Sequence, residues 1–142
     1  MTRTSLYNKT FFLIKIFSIY LFFSLKSFST EINNFKNITE GNEDAKIEIL
    51  VYESLTCPHC AEFHKEVYPD LKKSFIDKGL VKIEFKNFPL DIAGLNASKI
   101  AHCKNDGKSD ILHFLYHNQN TWTKGETIDE INLNLKMLIN KE

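Results

Sequence analysis

The sequence predicts a mixed α/β fold in which a strand, a helix and a second strand are followed by a helical segment. β-Rich runs at residues 46–52 and 80–86 flank the segment 58–76, which has apolar residues at helical spacing. Residues 94–140 then contain further stretches whose apolar residues recur at a period near 3.6. A strand, a helix and a strand in this order form a βαβ unit with a right-handed crossover.

The first 29 residues are interpreted as a secretory signal peptide rather than as part of the fold. Arg3 and Lys9 form a basic N-terminal region, and residues 11–23 are apolar except for Lys15. Small residues in the Ser-Phe-Ser run at 27–29 provide a cleavage site. The apolar stretch is short for a membrane span, so we expect an exported protein, with an uncleaved membrane anchor as the alternative.

The charge balance argues against a nucleic-acid partner. The whole chain has 18 Lys and Arg residues and 18 Asp and Glu residues. The N-terminal segment holds four basic and no acidic residues, so its removal leaves 14 basic against 18 acidic residues. The remaining domain is mildly acidic and its charges are interspersed, whereas a nucleic-acid partner requires a basic patch.

The two predicted strands differ in their expected burial. Residues 30–45 are polar and are predicted to be a loose lead-in, and the domain itself is predicted to span 46–142. The first strand, 46–52, contains three consecutive apolar residues at 49–51, which is typical of a strand buried on both faces. The second strand, 80–86, alternates apolar and charged residues and is predicted to be more exposed. We therefore expect a two-stranded parallel sheet.

Residues 58–76 are predicted to form one amphipathic helix with a kink. Pro69 lies inside the segment and has no amide hydrogen to donate to the carbonyl oxygen of Lys65. His64 is predicted to be exposed on the charged side of this helix, and Glu53 to face solvent at the end of the preceding strand. The expected buried face consists of Cys60, Phe63, Val67, Leu71 and Phe75.

The helical segment 94–140 is predicted to contain three helices. Thr127 and Glu130 form a capping box at the start of the last helix. Trp122 is predicted to lie in a connecting loop and to fill the join between the helices and the sheet. The predicted helices span 97–105, 109–118 and 128–140, and the last one is expected to bury Ile128, Ile131, Leu135 and Leu138.

The motif Cys57-Pro58-His59-Cys60 indicates reversible thiol–disulfide chemistry at the start of a helix. Proline is tolerated at the first helical position, so Pro58 places Cys57 at or beside the N-cap. Unpaired backbone N–H groups and the helix dipole favour the thiolate there, which lowers the pKa of Cys57. His59 is expected to stabilise the anion further. Cys60, one turn later, is the expected resolving thiol that attacks a mixed disulfide formed by Cys57.

Two other interpretations of the cysteines stay open at this point. A Cys-x-x-Cys pair is also half of a zinc site, and His113 and His117 share a helix face at i, i+4 spacing. These histidines lie more than fifty residues away, which is far outside zinc-finger spacing. An inert structural pair is the third interpretation. The remaining Cys103 is predicted to be a small buried thiol, with an intermolecular disulfide as the alternative.

The stretch from Gly41 to Cys60, above all residues 51–61, resembles the redox core of the DsbA-like oxidoreductases of the thioredoxin fold. The resemblance continues through Phe63–Pro69 and Phe88–Leu90, and extends to the helical insert with Cys103 and to Trp122. Such proteins also have a cis-proline loop, a β-hairpin and a final helix, which have no counterpart here before Glu142. We therefore expect a partial thioredoxin-like fold.

The resemblance implies a function as a periplasmic dithiol oxidant. Cys57 is the implied attacking sulfur, Cys60 is its disulfide partner, and no cofactor or metal is implied. The implied partners are reduced exported proteins and a membrane protein that reoxidises the thiols. The alternatives are a weakly active or inactive fragment of such a protein and a zinc-binding or interaction module.

Overall fold

The structure is a computed structural model that describes residues 35–141. The predicted signal peptide and the first part of the predicted lead-in lie outside the described residues. Among residues 35–141, none of the helices combines the length and the apolar composition that a membrane span requires.

A three-stranded sheet forms the base of the fold. Its strands are β1 (Ile38–Gly41), β2 (Ile47–Glu53) and β3 (Val81–Asn87), arranged in the order β1-β3-β2. β2 runs parallel to β3, with Ile47 opposite Val81, whereas β1 is antiparallel to β3, with Ile38 opposite Phe85. The segment predicted to be a loose lead-in therefore supplies a strand, and the predicted two-stranded sheet has three strands.

The predicted burial of the two parallel strands is wrong. β3 is the central strand and buries Val81, Ile83 and Phe85, whereas β2 lies at an edge of the described sheet and leaves Ile47 and Leu50 exposed. A run of apolar residues reports only the strand's own composition. Burial depends on which strands and helices pack beside it, and β1 covers the second side of β3.

A continuous helical run, α1, connects β2 to β3 over residues 58–76. Two π-helical turns interrupt it, and the first of them ends directly before Tyr68, so that Pro69 falls in the first turn of the next α-helical piece. The missing amide hydrogen of Pro69 is thus accommodated by the local change in winding. The pieces are Pro58–Glu62 and Tyr68–Leu71 (α) and Phe63–Val67 and Lys72–Ile76 (π).

The buried face of α1 lies one residue beyond the predicted one. Val67 and Phe75 are exposed, and Cys60, Phe63 and Leu71 are half-buried against the core. The prediction counted only apolar residues, so it placed a histidine outside the core. The buried side chains of α1 are Ala61, His64, Tyr68 and Ile76.

Four helices follow β3 and pack against one another and against α1. The first begins at residue 92 because Asp91 caps it by accepting a hydrogen bond from the Gly94 N–H at 2.6 Å. The capping box of Thr127 and Glu130 is confirmed. Trp122 lies in a short helix rather than a loop, is fully buried, and donates its indole N–H to the Leu115 carbonyl oxygen at 2.9 Å. The helices are α2 (Ile92–Ala101), α3 (Asp110–His117), α4 (Gln119–Trp122) and α5 (Ile128–Ile139).

Candidate active site

The two thiols of the Cys-x-x-Cys motif meet at the N-terminus of α1. Cys57 is the N-cap residue, with extended backbone, and Pro58 begins the helix. The backbone N–H of Cys60 donates to Sγ of Cys57 at 3.4 Å. Both residues are half-buried. Cys57 therefore lies at the N-cap, Pro58 at the first helical position and Cys60 one turn later, as the sequence predicts.

The electrostatic environment separates the two thiols. Partial burial acts to raise the pKa of Cys57, but hydrogen bonds from the Cys60 thiol and from the backbone N–H groups of Cys60 and His59 together lower it. Burial and the hydrogen bond with Cys57 raise the pKa of Cys60 to about 11. At neutral pH the pair therefore holds one proton more firmly on Cys60 and presents Cys57 as the more acidic, more nucleophilic sulfur.

The imidazole of His59 points away from this arrangement. Its side chain is 92% exposed, and Nδ1 lies 3.4 Å from Oε2 of Glu62, which is itself exposed. The backbone N–H of His59 is one of the groups that lower the pKa of Cys57, but its imidazole is not. The expected effect of His59 on the thiolate thus operates through the main chain, which any residue other than proline would supply.

The loop before Cys57 is held by a side chain that the sequence did not single out. Gln119 of α4 is buried, and its Nε2 donates to the carbonyl oxygens of Leu55 and Cys57 at 2.8 and 2.9 Å. These carbonyl groups lie at the turn where the chain enters α1. Nothing in the local pattern around Gln119 marks it, because its two partners lie more than sixty residues earlier in the chain.

Close approach of α2 fixes the same loop from another side. A Cβ atom at Gly94 would lie 2.9 Å from Oγ of Ser54 and 3.0 Å from Oγ1 of Thr56, so a larger residue would have to displace these hydroxyl groups or move the helix away. Ser54 Oγ also accepts from the backbone N–H of Leu90 at 3.3 Å. The turn that carries Cys57 is therefore in contact with the beginning of α2 as well as with α4.

Glu53 lies inside the protein beside the thiols, and the prediction that it faces solvent is wrong. The residue is 4% exposed, and it lines a cleft of about 200 Å³ together with Cys60. Its charge raises the pKa values of both cysteines. The Tyr116 hydroxyl also interacts with this buried carboxylate, and burial together with that interaction raises the pKa of Tyr116.

His64 is the partner of Glu53, and the prediction that it is exposed is also wrong. Its side chain is fully buried, Nε2 lies 2.7 Å from Oε2 of Glu53, and the ring stacks on Tyr116 with centroids 4.0 Å apart. A buried carboxylate requires such a partner, because an isolated charge in the interior is very costly. His64 and Glu53 come into contact only because α1 packs against the end of β2 in the folded protein.

The zinc interpretation finds no support in the described part of the chain. In residues 35–141, no three or more His, Cys, Asp or Glu side chains are arranged so that they could hold one metal ion together. His113 and His117 do not converge, since Nδ1 of His113 faces His64 and Nδ1 of His117 bonds back to the His113 carbonyl oxygen at 2.8 Å. Cys103 is exposed after the end of α2, so its predicted burial is wrong.

A Cys-x-x-Cys pair that caps the helix after a parallel strand, with a buried carboxylate nearby, defines a thioredoxin-type dithiol site. A family model described as Thioredoxin matches residues 33–141, and the chain belongs to this family. The predicted thioredoxin-like α/β fold with a helical insert is confirmed.

Solved structures place the chain near DsbA proteins. It is 26% identical to Wolbachia pipientis alpha-DsbA1 with a TM-score of 0.58, covering 74% of this chain and 65% of that one. A protein-disulfide isomerase from Novosphingobium aromaticivorans shares the fold, with a TM-score of 0.62 at 21% identity over 72% of this chain and 63% of that one.

Curated relatives carry names from the same chemistry. A Rickettsia bellii protein, provisionally named a protein-disulfide oxidoreductase, is 34% identical over 93 residues, which are 64% of this chain and 36% of that protein. Disulfide bond formation protein D of Bacillus subtilis is 38% identical over 47 residues, which are 33% of this chain and 21% of that protein. The chain thus matches about a third or less of the length of these relatives.

Proposed function

We propose that this chain is an exported thiol:disulfide oxidoreductase of the DsbA type that donates disulfides to reduced proteins. The observation that carries the proposal is the contrast between the two thiols at one helix N-terminus. The pKa of Cys57 is lowered and that of Cys60 is raised to about 11. This contrast supports a role as attacking sulfur for Cys57 and as resolving sulfur for Cys60.

The proposed reaction begins with the Cys57–Cys60 disulfide. A substrate thiolate attacks Sγ of Cys57, the Cys57–Cys60 bond breaks, and Cys60 leaves as a thiolate that takes up a proton. A second substrate thiolate then attacks the substrate sulfur of the mixed disulfide and expels Cys57 as a thiolate. Two substrate thiols are oxidised to one disulfide, and the Cys57–Cys60 pair is reduced to a thiolate and a thiol.

The direction of the reaction follows from the stability of the Cys57 thiolate. Groups that stabilise this anion stabilise the reduced form, and a stabilised reduced form makes the disulfide a stronger oxidant. In this scheme Glu53 is the group that exchanges the Cys60 proton, because the two residues line the same cleft and Glu53 is otherwise buried. The named relatives of this chemistry support the class of reaction.

The partners and the location belong to the same proposal. Reduced exported proteins are the proposed substrates, and a membrane protein is the proposed reoxidant. Residues 1–29 are proposed to direct export to the periplasm, and the thioredoxin-like domain is proposed to include β1 in addition to the predicted residues 46–142. The mass of the protein recovered after export distinguishes a cleaved signal peptide from an uncleaved anchor.

Disulfide transfer to a peptide tests the proposal. The oxidised chain is mixed with a reduced peptide that has two cysteines, and the disulfide formed in the peptide is measured by mass. We expect transfer by the parent chain and by the control Cys103→Ser, and none by Cys57→Ser. Equal transfer by the parent and Cys57→Ser would exclude Cys57 as the reacting sulfur.

The direction is tested by equilibration with glutathione. We expect a potential more oxidising than the value of about −270 mV typical of thioredoxin. A potential at or below that value would indicate a reductant. Very slow transfer in the peptide assay at an oxidising potential would instead favour the weakly active alternative.

A further inference from the structure

A line of titratable side chains leads from the thiol cleft into the protein. Nε2 of His64 lies 2.7 Å from Oε2 of Glu53, and Nδ1 of His64 lies 2.9 Å from Nδ1 of His113. Nε2 of His113 lies 2.8 Å from Oε1 of Glu40. Each imidazole uses both of its ring nitrogens, so the four side chains form one unbroken hydrogen-bonded chain between two carboxylates.

The number of protons in this chain is fixed by its bonds. Each of the three hydrogen bonds between neighbouring side chains needs one proton, and a neutral imidazole carries only one N–H proton. Two neutral rings supply two protons, so the third is an excess proton, held on one ring or on one of the carboxylates. The hydrogen bonds of His64 and His113 are therefore complete only when the chain holds one mobile proton.

The outer end of the chain reaches a second cleft. This cleft, of about 360 Å³, is bordered by Glu40, Lys72, Ser109 and His113 and shares no lining residue with the cleft beside Cys60. Glu40 is held there by Lys72 at 2.9 Å and by the hydroxyl of Ser109, and Tyr68 also faces it. Asp77 is the second partner of Lys72, at 3.0 Å.

The charges at this end favour release of a proton. Burial acts to raise the pKa of Glu40, but hydrogen bonds from His113, Ser109, Tyr68 and Lys72 hold it well below its usual range. Glu40 contacts Nε2 of His113, and a carboxyl group with a lowered pKa readily gives up a proton to solvent. At the inner end, Oε1 of Glu53 is buried, and the nearby hydroxyl of Tyr116 interacts with the same carboxylate.

We propose that His64, His113 and Glu40 form a proton relay that connects Glu53, and through it Cys60, with solvent in the cleft beside Lys72. This inference rests on the proposed function, because it concerns the proton that Cys60 exchanges there. When Cys60 loses its proton, Glu53 accepts it and passes one to Nε2 of His64. His64 passes one from Nδ1 to His113, and His113 passes one from Nε2 to Glu40. Each group gains one proton and loses one, and solvent receives the last.

The test separates the two thiols in time. The reduced Cys103→Ser chain reacts with dithiodipyridine, and each release of thiopyridone is followed by stopped-flow absorbance. The first release reports attack by Cys57 and depends on reagent concentration. The second reports attack by Cys60 on the mixed disulfide, is independent of that concentration, and requires Cys60 to lose its proton.

The relay is interrupted by His113→Leu, with His117→Leu as the matched control. His117 lies one turn later on α3, is exposed, and bonds only to its own helix. We expect His113→Leu to slow the second release at least about tenfold, within the range of general acid–base catalysis, and to leave the first release unchanged. We also expect added imidazole to restore part of the lost rate and deuterated solvent to slow the parent's second release.

Glu40→Gln provides a second variant that keeps a hydrogen-bond acceptor for His113. It is also expected to slow only the second release. Two results would overturn the relay: unchanged second release in both variants, which means that the proton leaves by the cleft beside Cys60, or equal slowing of both releases without imidazole rescue, which means that the network only supports the structure. A first release in the parent no faster than that of free cysteine would instead count against the proposed function.

Discussion

Nε2 of His64 lies 2.7 Å from Oε2 of Glu53, and both side chains are excluded from solvent. The pair joins the end of β2 to the first π-helical turn of α1, and Glu53 lines the same cleft as Cys60. Buried charges of this kind are strongly coupled to neighbouring titrations, because little water screens them. Glu53 accordingly acts on both cysteines, and its removal offers a direct test of the site's electrostatics.

The first prediction concerns Glu53→Gln. Glutamine has the same size and keeps an acceptor for His64, but it carries no charge. The charge of Glu53 raises the pKa values of Cys57 and Cys60, so we expect both values to fall in the variant. The measurement is the rate of alkylation as a function of pH, with each thiol assigned by mass spectrometry.

The control for this experiment is Glu62→Gln. Glu62 is exposed and contacts only His59 in the neighbourhood of the thiols. We expect no change in either thiol. Higher thiol pKa values in Glu53→Gln than in the parent would contradict the assigned sign of the interaction.

The second prediction concerns Gln119→Ala. The variant loses two hydrogen bonds and leaves the carbonyl groups of Leu55 and Cys57 without this partner. We expect the free energy of unfolding to fall by about 1–3 kcal/mol, the usual cost of a buried polar group left unsatisfied. Urea denaturation of the reduced protein measures this change.

Asn120→Ala is the matched control, since Asn120 is the next residue of α4 and is exposed. Its unfolding midpoint is expected to equal that of the parent. If Gln119→Ala also unfolds at the parent's midpoint, the two hydrogen bonds do not hold the loop.

The third prediction concerns the pH dependence of stability in the reduced protein. Burial raises the pKa of Cys60 from 9.0 to about 11. A raised pKa in the folded state contributes stability below the pKa of the unfolded chain and loses it as the pH rises through the folded value. The contribution of Cys60 is therefore expected to disappear between about pH 9 and pH 11.

Comparison with Cys60→Ala isolates this contribution from the lysines and tyrosines that titrate in the same window. We expect the unfolding free energy of the parent to fall more steeply with pH than that of Cys60→Ala. Cys103→Ser, which removes an exposed thiol, should retain the parent's slope. Parallel slopes for the parent and Cys60→Ala would show that Cys60 titrates alike in the folded and unfolded chains.

Local features of the site were predictable from the sequence because they depend on neighbours in the chain. Pro58 fixes the start of α1, and this places Cys57 at the N-cap, where the backbone N–H groups reach its sulfur. The capping box of Thr127 and Glu130 is local in the same sense. Such features need only the winding of one helix, and the tertiary structure leaves them unchanged.

The misassigned residues have partners far away in the chain. His64 and Glu53 look like surface residues in any local window, and His113, which completes the line, lies 49 residues after His64. The predicted burial of the strands was wrong for a related reason, because β1 pairs with the other side of β3 and makes it the central strand. The spacing of apolar residues cannot predict that a distant segment will pair with a charged side chain or cover a strand.

The sequence by itself determined which atoms can react, since two thiols three residues apart at a helix start define a dithiol site through local geometry. The tertiary structure alone decided what surrounds them: a carboxylate and a histidine buried as a pair, an amide from α4 on the loop, and a line of side chains to a second cleft. The reason is physical. Backbone capping follows from adjacent residues, whereas burying a charge is affordable only where distant residues are brought together to satisfy it.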